Sequence, residues 1–252
     1  MITDEKKDIS LIKEYKVKSY EVTQNNELKP FALLHYFEDA AYLNAESYGF
    51  GHSVTSSKNL YWFVVKYHLK FEKLPQAWEK IKIKTWPRKN GGIQCLRDFE
   101  IYSEDGRKTG VASSAWVLVG VDSKRPVNPF KTLEFPNLPD ERALETSFEK
   151  IPPVARVDYE KTFEIRFDDL DINRHVNNAN YIAWATETLP YDFRVSNSLA
   201  EVEIQYKKEC TYGMVVLSQV EYDEEKNITL HSLKNAESLE NLCDIRIRWK
   251  GV

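Results

Sequence analysis

Within the stretch DDLDINRHVNNANYIAWATETLP (residues 168–190), Asp171, Asn173 and His175 put a carboxylate, a carboxamide and an imidazole at alternate positions. If this run is extended, side chains at i, i+2 and i+4 share one face. Those groups are the parts of an acyl-transfer site: an acid/base and an amide donor for a developing oxyanion. Tyr181, Ile182, Ala185 and Leu189 follow at helical spacing, Pro190 stops the helix, and Asn177 or Asn178 suits its N-cap. The three groups would then lie beside a helix N-terminus, where free N–H groups and the macrodipole favour negative charge. Taken singly, Asp and Asn serve turns and caps, and a lone His is commonly a polar loop residue.

The elements that must position this stretch alternate along the chain. Tyr15 to Thr23 reads as a strand, and Pro30 suits the first turn of a helix whose buried stripe is Leu33, Leu34, Phe37, Ala40, Ala41 and Ala45. Gly49 and Gly51 end it. Four alternating strands follow, LYWFVVKYHLKFEKL, AWEKIKIKTWPRK, IQCLRDFEIYS and KTGVASSAWVLVGVD, with turn signals at Asn90–Gly92 and Glu104–Gly106. Six prolines between Ser123 and Asp158 mark a connection, with one short helix expected around Asp140 to Thr146. The order then recurs: a strand in YEKTFEIRFDD, a helix from Asn178 to Leu189, and four strands to the C-terminus. The expected organisation is 1–125, a linker at 126–158, and 159–252. Setting Phe163 on Tyr20 aligns the helix at Asn178 with that at His35, and Asp171, Asn173 and His175 then fall on Leu28, Pro30 and Ala32. On that register only the second half keeps chemistry, and the first half is expected to be a binding half.

The chain has 252 residues and a formal charge of −4, so no basic field points to nucleic acid. The polar N-terminus lacks the apolar core of a signal peptide, no apolar run is long enough to span a bilayer, and the three cysteines lack metal-type spacing. The expectation is a cytoplasmic protein without a membrane span. Alternating aromatic runs favour β-sheet with a substantial apolar face.

DLDINRHVNNANYIAWATE resembles the D-x-N-x-H-V-N-N-x-x-Y-I-x-W stretch of the acyl-acyl carrier protein (acyl-ACP) thioesterases of plants and bacteria. Looser likenesses are KTWPRKNGGIQCLRDFEIYSEDG to W-x-x-x-x-K-N-G-x-x-R-D, VEIQYKKECTYG to L-x-Y-R-R-E-C, and SSAWVLVGVDSKRPVNP to a W-V…T-R-R region, with Ser123 and Lys124 in place of Thr and Arg. The resemblance implies an α+β fold of two tandem hotdog units, each a long helix wrapped by a curved antiparallel sheet. It also implies hydrolysis of fatty acyl-ACP without a cofactor. His175 is then the general base, since imidazole titrates near neutral pH. Glu209 orients it, Asn173 serves the thioester carbonyl or the water, and Asp171 either orients its neighbours or attacks the acyl carbon.

Cys210 beside Glu209 imitates a papain-like nucleophile but reads better as a small apolar residue. Arg88, Lys89, Arg174, Lys207 and Lys208 are candidates for meeting an acidic carrier protein with its acyl-phosphopantetheine, and Leu33, Phe37, Trp62 and Val64 for lining an acyl tunnel. A homodimer is left open. The alternatives are an acyl-CoA thioesterase, a hydratase of the same fold, and a non-catalytic acyl-binding module.

Overall fold

The computed structural model describes residues 8–89 and 92–252; the expected turn at Asn90–Gly92 falls mostly outside them. Eleven strands form one antiparallel sheet: β1 (Leu11–Lys16), β2 (Leu60–Phe71), β3 (Lys80–Arg88), β4 (Gln94–Tyr102), β5 (Lys108–Gly120), β6 (Pro126–Val127), β7 (Tyr159–Glu164), β8 (Asn197–Tyr206), β9 (Val215–Asp223), β10 (Ile228–Asn235) and β11 (Asn241–Gly251). Five helices join it: α1 (Pro30–Ser47), α2 (His52–Ser57), α3 (Pro129–Thr132), α4 (Ala179–Glu187) and α5 (Tyr191–Ser196). The strand order is β1-β3-β4-β5-β2-β8-β11-β10-β9-β7, with β6 added to β5. Each half therefore uses the same internal order, and the halves join where β2 pairs with β8, Lys66–Lys70 against Gln205–Glu201. This is the expected α+β class, with a helix laid on each half-sheet.

Proline at the first position starts α1, and Gly49, at φ 78°, follows it, a conformation in which a side chain is strained. All six residues of the expected stripe are buried. Phe37 stacks on Phe99 of β4 with ring centroids 4.3 Å apart, and burying such a ring contributes up to about 3 kcal/mol. No helix in the described residues is long and apolar enough to cross a membrane.

Several expectations need correction. The first strand ends at Lys16, and its apparent continuation is a 3-10 turn at Ser19–Glu21. The connection's helix is Pro129–Thr132, where the Asn128 side chain accepts from Phe130 N, and residues 140–146 are irregular. That irregular run is pinned to the sheet: Trp86 Nε1 donates to Glu141 O at 3.0 Å, Ala143 N to Asp98 at 3.0 Å, and Thr146 Oγ1 lies 2.8 Å from His68 Nδ1. Side chains from the sheet thus take the place of the intrahelical bonds that the proline-rich sequence discourages.

The internal register also differs. β1 corresponds to β7, the Ser19–Glu21 turn to a 3-10 turn at Phe167–Asp169, and the Val22–Leu28 bridge to a Leu170–Val176 bridge, all at one spacing. Phe163 therefore lies on Tyr15, and Asp171, Asn173 and His175 lie on Thr23, Asn25 and Glu27. The apolar residues inferred for these first-half positions are in fact polar. With identity this low, alternation alone could not separate the strand from the turn after it.

In the same register His231 of β10 corresponds to Phe99 of β4, since Leu11–Thr85–Phe99 and Tyr159–Val220–His231 cross their half-sheets alike. His231 is buried, with Nε2 2.8 Å from Thr229 Oγ1 and no hydrogen-bond partner for Nδ1 among the described residues, and burial holds its pKa down to about 3. An unfolded imidazole titrates near ~6.5, so between these values the unfolded chain takes up a proton that the fold refuses. The stabilisation from neutral His231 is complete above the unfolded value. It declines by up to about 1.4 kcal/mol per pH unit as pH falls towards 3. His231→Phe should flatten this acid limb in urea unfolding between pH 7 and 4; an unchanged slope would contradict the assignment.

Candidate active site

Asp171 to His175 is a tight turn, not the extended run that would put alternate side chains on one face. Asp171 N donates to His175 O at 2.7 Å, Arg174 N to Asp171 O at 3.0 Å, and Arg174 takes φ 63°. The Asp171 carboxylate holds the turn from inside: Oδ1 accepts from Asn173 N at 2.8 Å and His175 N at 3.3 Å, and Oδ2 from the Asn173 side-chain amide at 3.3 Å. Short polar side chains favour this geometry because they bond backbone groups two to four residues on. The helix that follows begins at Ala179, and the Asn177 side chain accepts from Ala179 N at 2.8 Å. Asn178 N–H meets no acceptor among the described residues.

Backbone pairing brings Glu209 to this turn. Val176 N donates to Cys210 O at 2.9 Å, so the residues just before each, His175 and Glu209, come side by side. His175 Nε2 lies 3.2 Å from Glu209 Oε2, with both side chains mostly covered. Tyr61 of β2 donates to the other oxygen, Glu209 Oε1, at 3.2 Å. In the first half the equivalent bond runs from Leu28 N to Pro75 O, at 2.7 Å. Leu74 therefore occupies the place of Glu209, and Glu27 that of His175. Asn25, the counterpart of Asn173, spends its amide on Val195 O at 2.9 Å. That position is nearly filled, with a cleft of about 50 Å³ beside Leu74 and Trp249.

The second-half turn instead opens on a cavity of about 620 Å³. Asp171, Ile172, Asn173 and Asn177 form one wall, and the rest is largely first-half: Ala41, Ala45, Phe50, Tyr61, Trp62 and Trp116. Of the expected tunnel residues, Trp62 is in the wall, while Leu33, Phe37 and Val64 are wholly in the core. Glu38 of α1 also faces the cavity and accepts from the Asn177 amide at 3.2 Å; burial raises its pKa, with Asp171's charge adding to the effect. Neither Tyr61 nor Glu38 carries a sequence signal, since a Tyr in a strand and a Glu on a helix ordinarily read as packing and solvation.

Cys210 is fully buried and outside the cavity wall, with its thiol pKa raised by burial. Of the basic candidates, Arg88 is withdrawn from the surface, with Nε 2.8 Å from the buried Asp98 carboxylate. Lys207 is paired with Asp244, and Lys208 with Glu240 at 2.7 Å. Lys89 and Arg174 are exposed.

Residues 9–131 match the acyl-ACP thioesterase N-terminal domain, and residues 154–251 the acyl-ACP thioesterase C-terminal domain. The chain is 28% identical over 226 residues to oleoyl-acyl carrier protein thioesterase 1, chloroplastic, of Arabidopsis thaliana, which covers 82% of this chain and 62% of that protein. It is 27% identical to the dodecanoyl-[acyl-carrier-protein] hydrolase, chloroplastic, of Umbellularia californica, over 81% of this chain and 57% of that protein. It thus spans about three-fifths of the length of these relatives. Its fold is that of the 12:0-ACP thioesterase from Umbellularia californica, with TM-score 0.84 at 22% identity over 97% of this chain and 98% of the other. An acyl-ACP thioesterase from Bacteroides thetaiotaomicron gives TM-score 0.79 at 21% identity over 97% and 99%. Two domain matches that together cover most of the chain make it a member of the acyl-ACP thioesterase family.

Proposed function

We propose that this protein hydrolyses the thioester of fatty acyl-ACP, releasing free fatty acid and ending chain elongation. The observation that supports this reading is the imidazole–carboxylate pair, His175 and Glu209 at 3.2 Å. The pair is not itself in the cavity wall, but Tyr61 joins it to a cavity large enough for an acyl chain, in whose wall Asp171 and Asn173 stand. With Nε2–H directed at Glu209, His175 keeps Nδ1 free to take a proton from water. The hydroxide so formed attacks the acyl carbon. The free N–H of the Asn173 amide, in the cavity wall, is the donor available to the oxyanion. Collapse breaks the C–S bond, and the proton held by His175 goes to the departing thiolate of the carrier's phosphopantetheine. The proposed steps call on no cofactor or metal.

Asp171 is assigned the orienting role. Three donors share its carboxylate charge, which leaves a poor nucleophile. The division of labour follows the chain: residues 1–125 supply most of the cavity wall, 126–158 connect, and 159–252 hold the acid–base groups. Both halves of the site come from one chain, so the reaction does not require a second copy. The substrate partner is acidic ACP, and exposed Arg174, next to the site, is suited to meet it. Three free cysteines suit a reducing compartment, which supports the cytoplasm as the place of action.

A thiol-release assay over acyl-ACPs of several chain lengths, with the matching acyl-CoAs alongside, tests this. Wild type should turn over the ACP thioesters preferentially, and His175→Ala should lose on the order of 10²–10⁴ in kcat. Asn173→Ala should lose about 10²–10³. Binding of acyl-ACP without thiol release would favour a non-catalytic module instead, and an enoyl product a hydratase. Cys210→Ala should keep most turnover; if it abolishes activity while Glu209→Ala does not, the assignment of Glu209 is wrong. In water enriched in ¹⁸O, a single turnover should label the fatty acid and leave Asp171 unlabelled by peptide mass spectrometry. Label in Asp171 would mean an anhydride intermediate.

A further inference from the structure

The groups around Glu209 come from both halves of the chain. Glu209 lies three residues beyond the end of β8, outside the ladder, where three rotatable side-chain bonds separate its carboxylate from an irregular backbone. One hydrogen bond to His175 would leave that carboxylate free to pivot. Tyr61, from the opposite half, takes up the second oxygen at 3.2 Å.

The element carrying Tyr61 is well braced. Tyr61 pairs with Val119 of β5, and just before it Asn59, at φ 57°, accepts from Val121 N at 3.0 Å and donates from its side chain to Asp122. Gly120 closes this corner, where a Cβ would come 2.4 Å from Ser123 Oγ. The Lys124 ammonium lies 5.6 Å from the Tyr61 ring centroid. Burial, the Glu209 charge and the hydrogen bond push the phenol's pKa up to about 12, so it remains a donor throughout the neutral range.

We infer that Tyr61 is a positioning residue, which holds Glu209 so that the carboxylate orients the His175 imidazole. This rests on the reading of His175 and Glu209 given above. The Tyr61 ring also forms part of the cavity wall, while its hydroxyl bridges the two halves at the acid–base pair. Phenylalanine at this place would keep the wall and the ring's contact with Lys124 and lose only the donor.

Tyr61→Phe should therefore lower kcat roughly 10-fold, the effect of one hydrogen bond to a charged group in a half-covered place, with KM changed less than about 2-fold. In a Glu209→Gln background the same change should add little further loss. A second readout needs no turnover. At fixed pH, the ring NMR signals of His175 should move between wild type and Tyr61→Phe, and stay in place when Tyr61→Phe is added to Glu209→Gln. Equal urea midpoints would show that the variants remain folded.

Unmoved His175 signals in Tyr61→Phe would overturn the inference, as would a movement that persists without the Glu209 carboxylate. If wild type releases no thiol, the hydrolase reading fails by itself, and the spectra still decide the role of Tyr61.

Discussion

The site depends on the pairing of β2 with β8. Each strand would otherwise be an edge of its own half-sheet, with a row of unsatisfied N–H and C=O groups. Joining Lys66–Lys70 to Gln205–Glu201 satisfies both edges and makes one sheet of two halves. The antiparallel register also carries Tyr61, near the start of β2, towards the segment just past the end of β8, where Glu209 stands. The contact of Tyr61 with Glu209 is thus a consequence of backbone pairing across the seam, while His175 and Glu209 are brought together within the second half by the bond from Val176 N to Cys210 O. The seam is reinforced by side chains: His68 of β2 lies 2.6 Å from Glu201 of β8 and 2.8 Å from Thr146 of the connecting segment.

Two halves with one backbone plan have diverged in what fills corresponding places. The bond Val176 N to Cys210 O has its counterpart in Leu28 N to Pro75 O, yet one sets an imidazole against a carboxylate and the other sets Glu27 near Leu74. Around the first-half position, the Asn25 amide is tied to the end of α5, and Phe193 packs edge-on against Trp249 at 5.2 Å. On the other side, where Asp171 and Asn173 face Trp62 and Trp116, a cavity of about 620 Å³ is left open. An open volume beside buried polar groups is costly to a fold unless those groups are satisfied among themselves. Here Asp171 is satisfied by its own turn, and Glu38 by Asn177.

The sequence by itself determined the local features. Pro30 and the stripe from Leu33 to Ala45 specify α1, because helix starts and one-sided burial have short-range causes. The group Asp171, Asn173 and His175 stood out as chemistry through residue type and spacing, and Glu209 entered only through likeness to a family. Tertiary structure decided what residue type could not. Hydrogen bonds within Asp171–His175 folded it as a turn, which a period-two reading of the same letters cannot distinguish from a strand. The repeat's register was set by paired turns and bridges whose residues share little identity. Arg88 left the surface because a buried aspartate ten residues away faced it. Tyr61 reached Glu209 because two strands far apart in the chain run side by side. Arg88 and Tyr61 were decided by partners on other strands, and a linear pattern holds no record of contacts that only folding brings together; the turn is held by local bonds, but its letters fit both conformations.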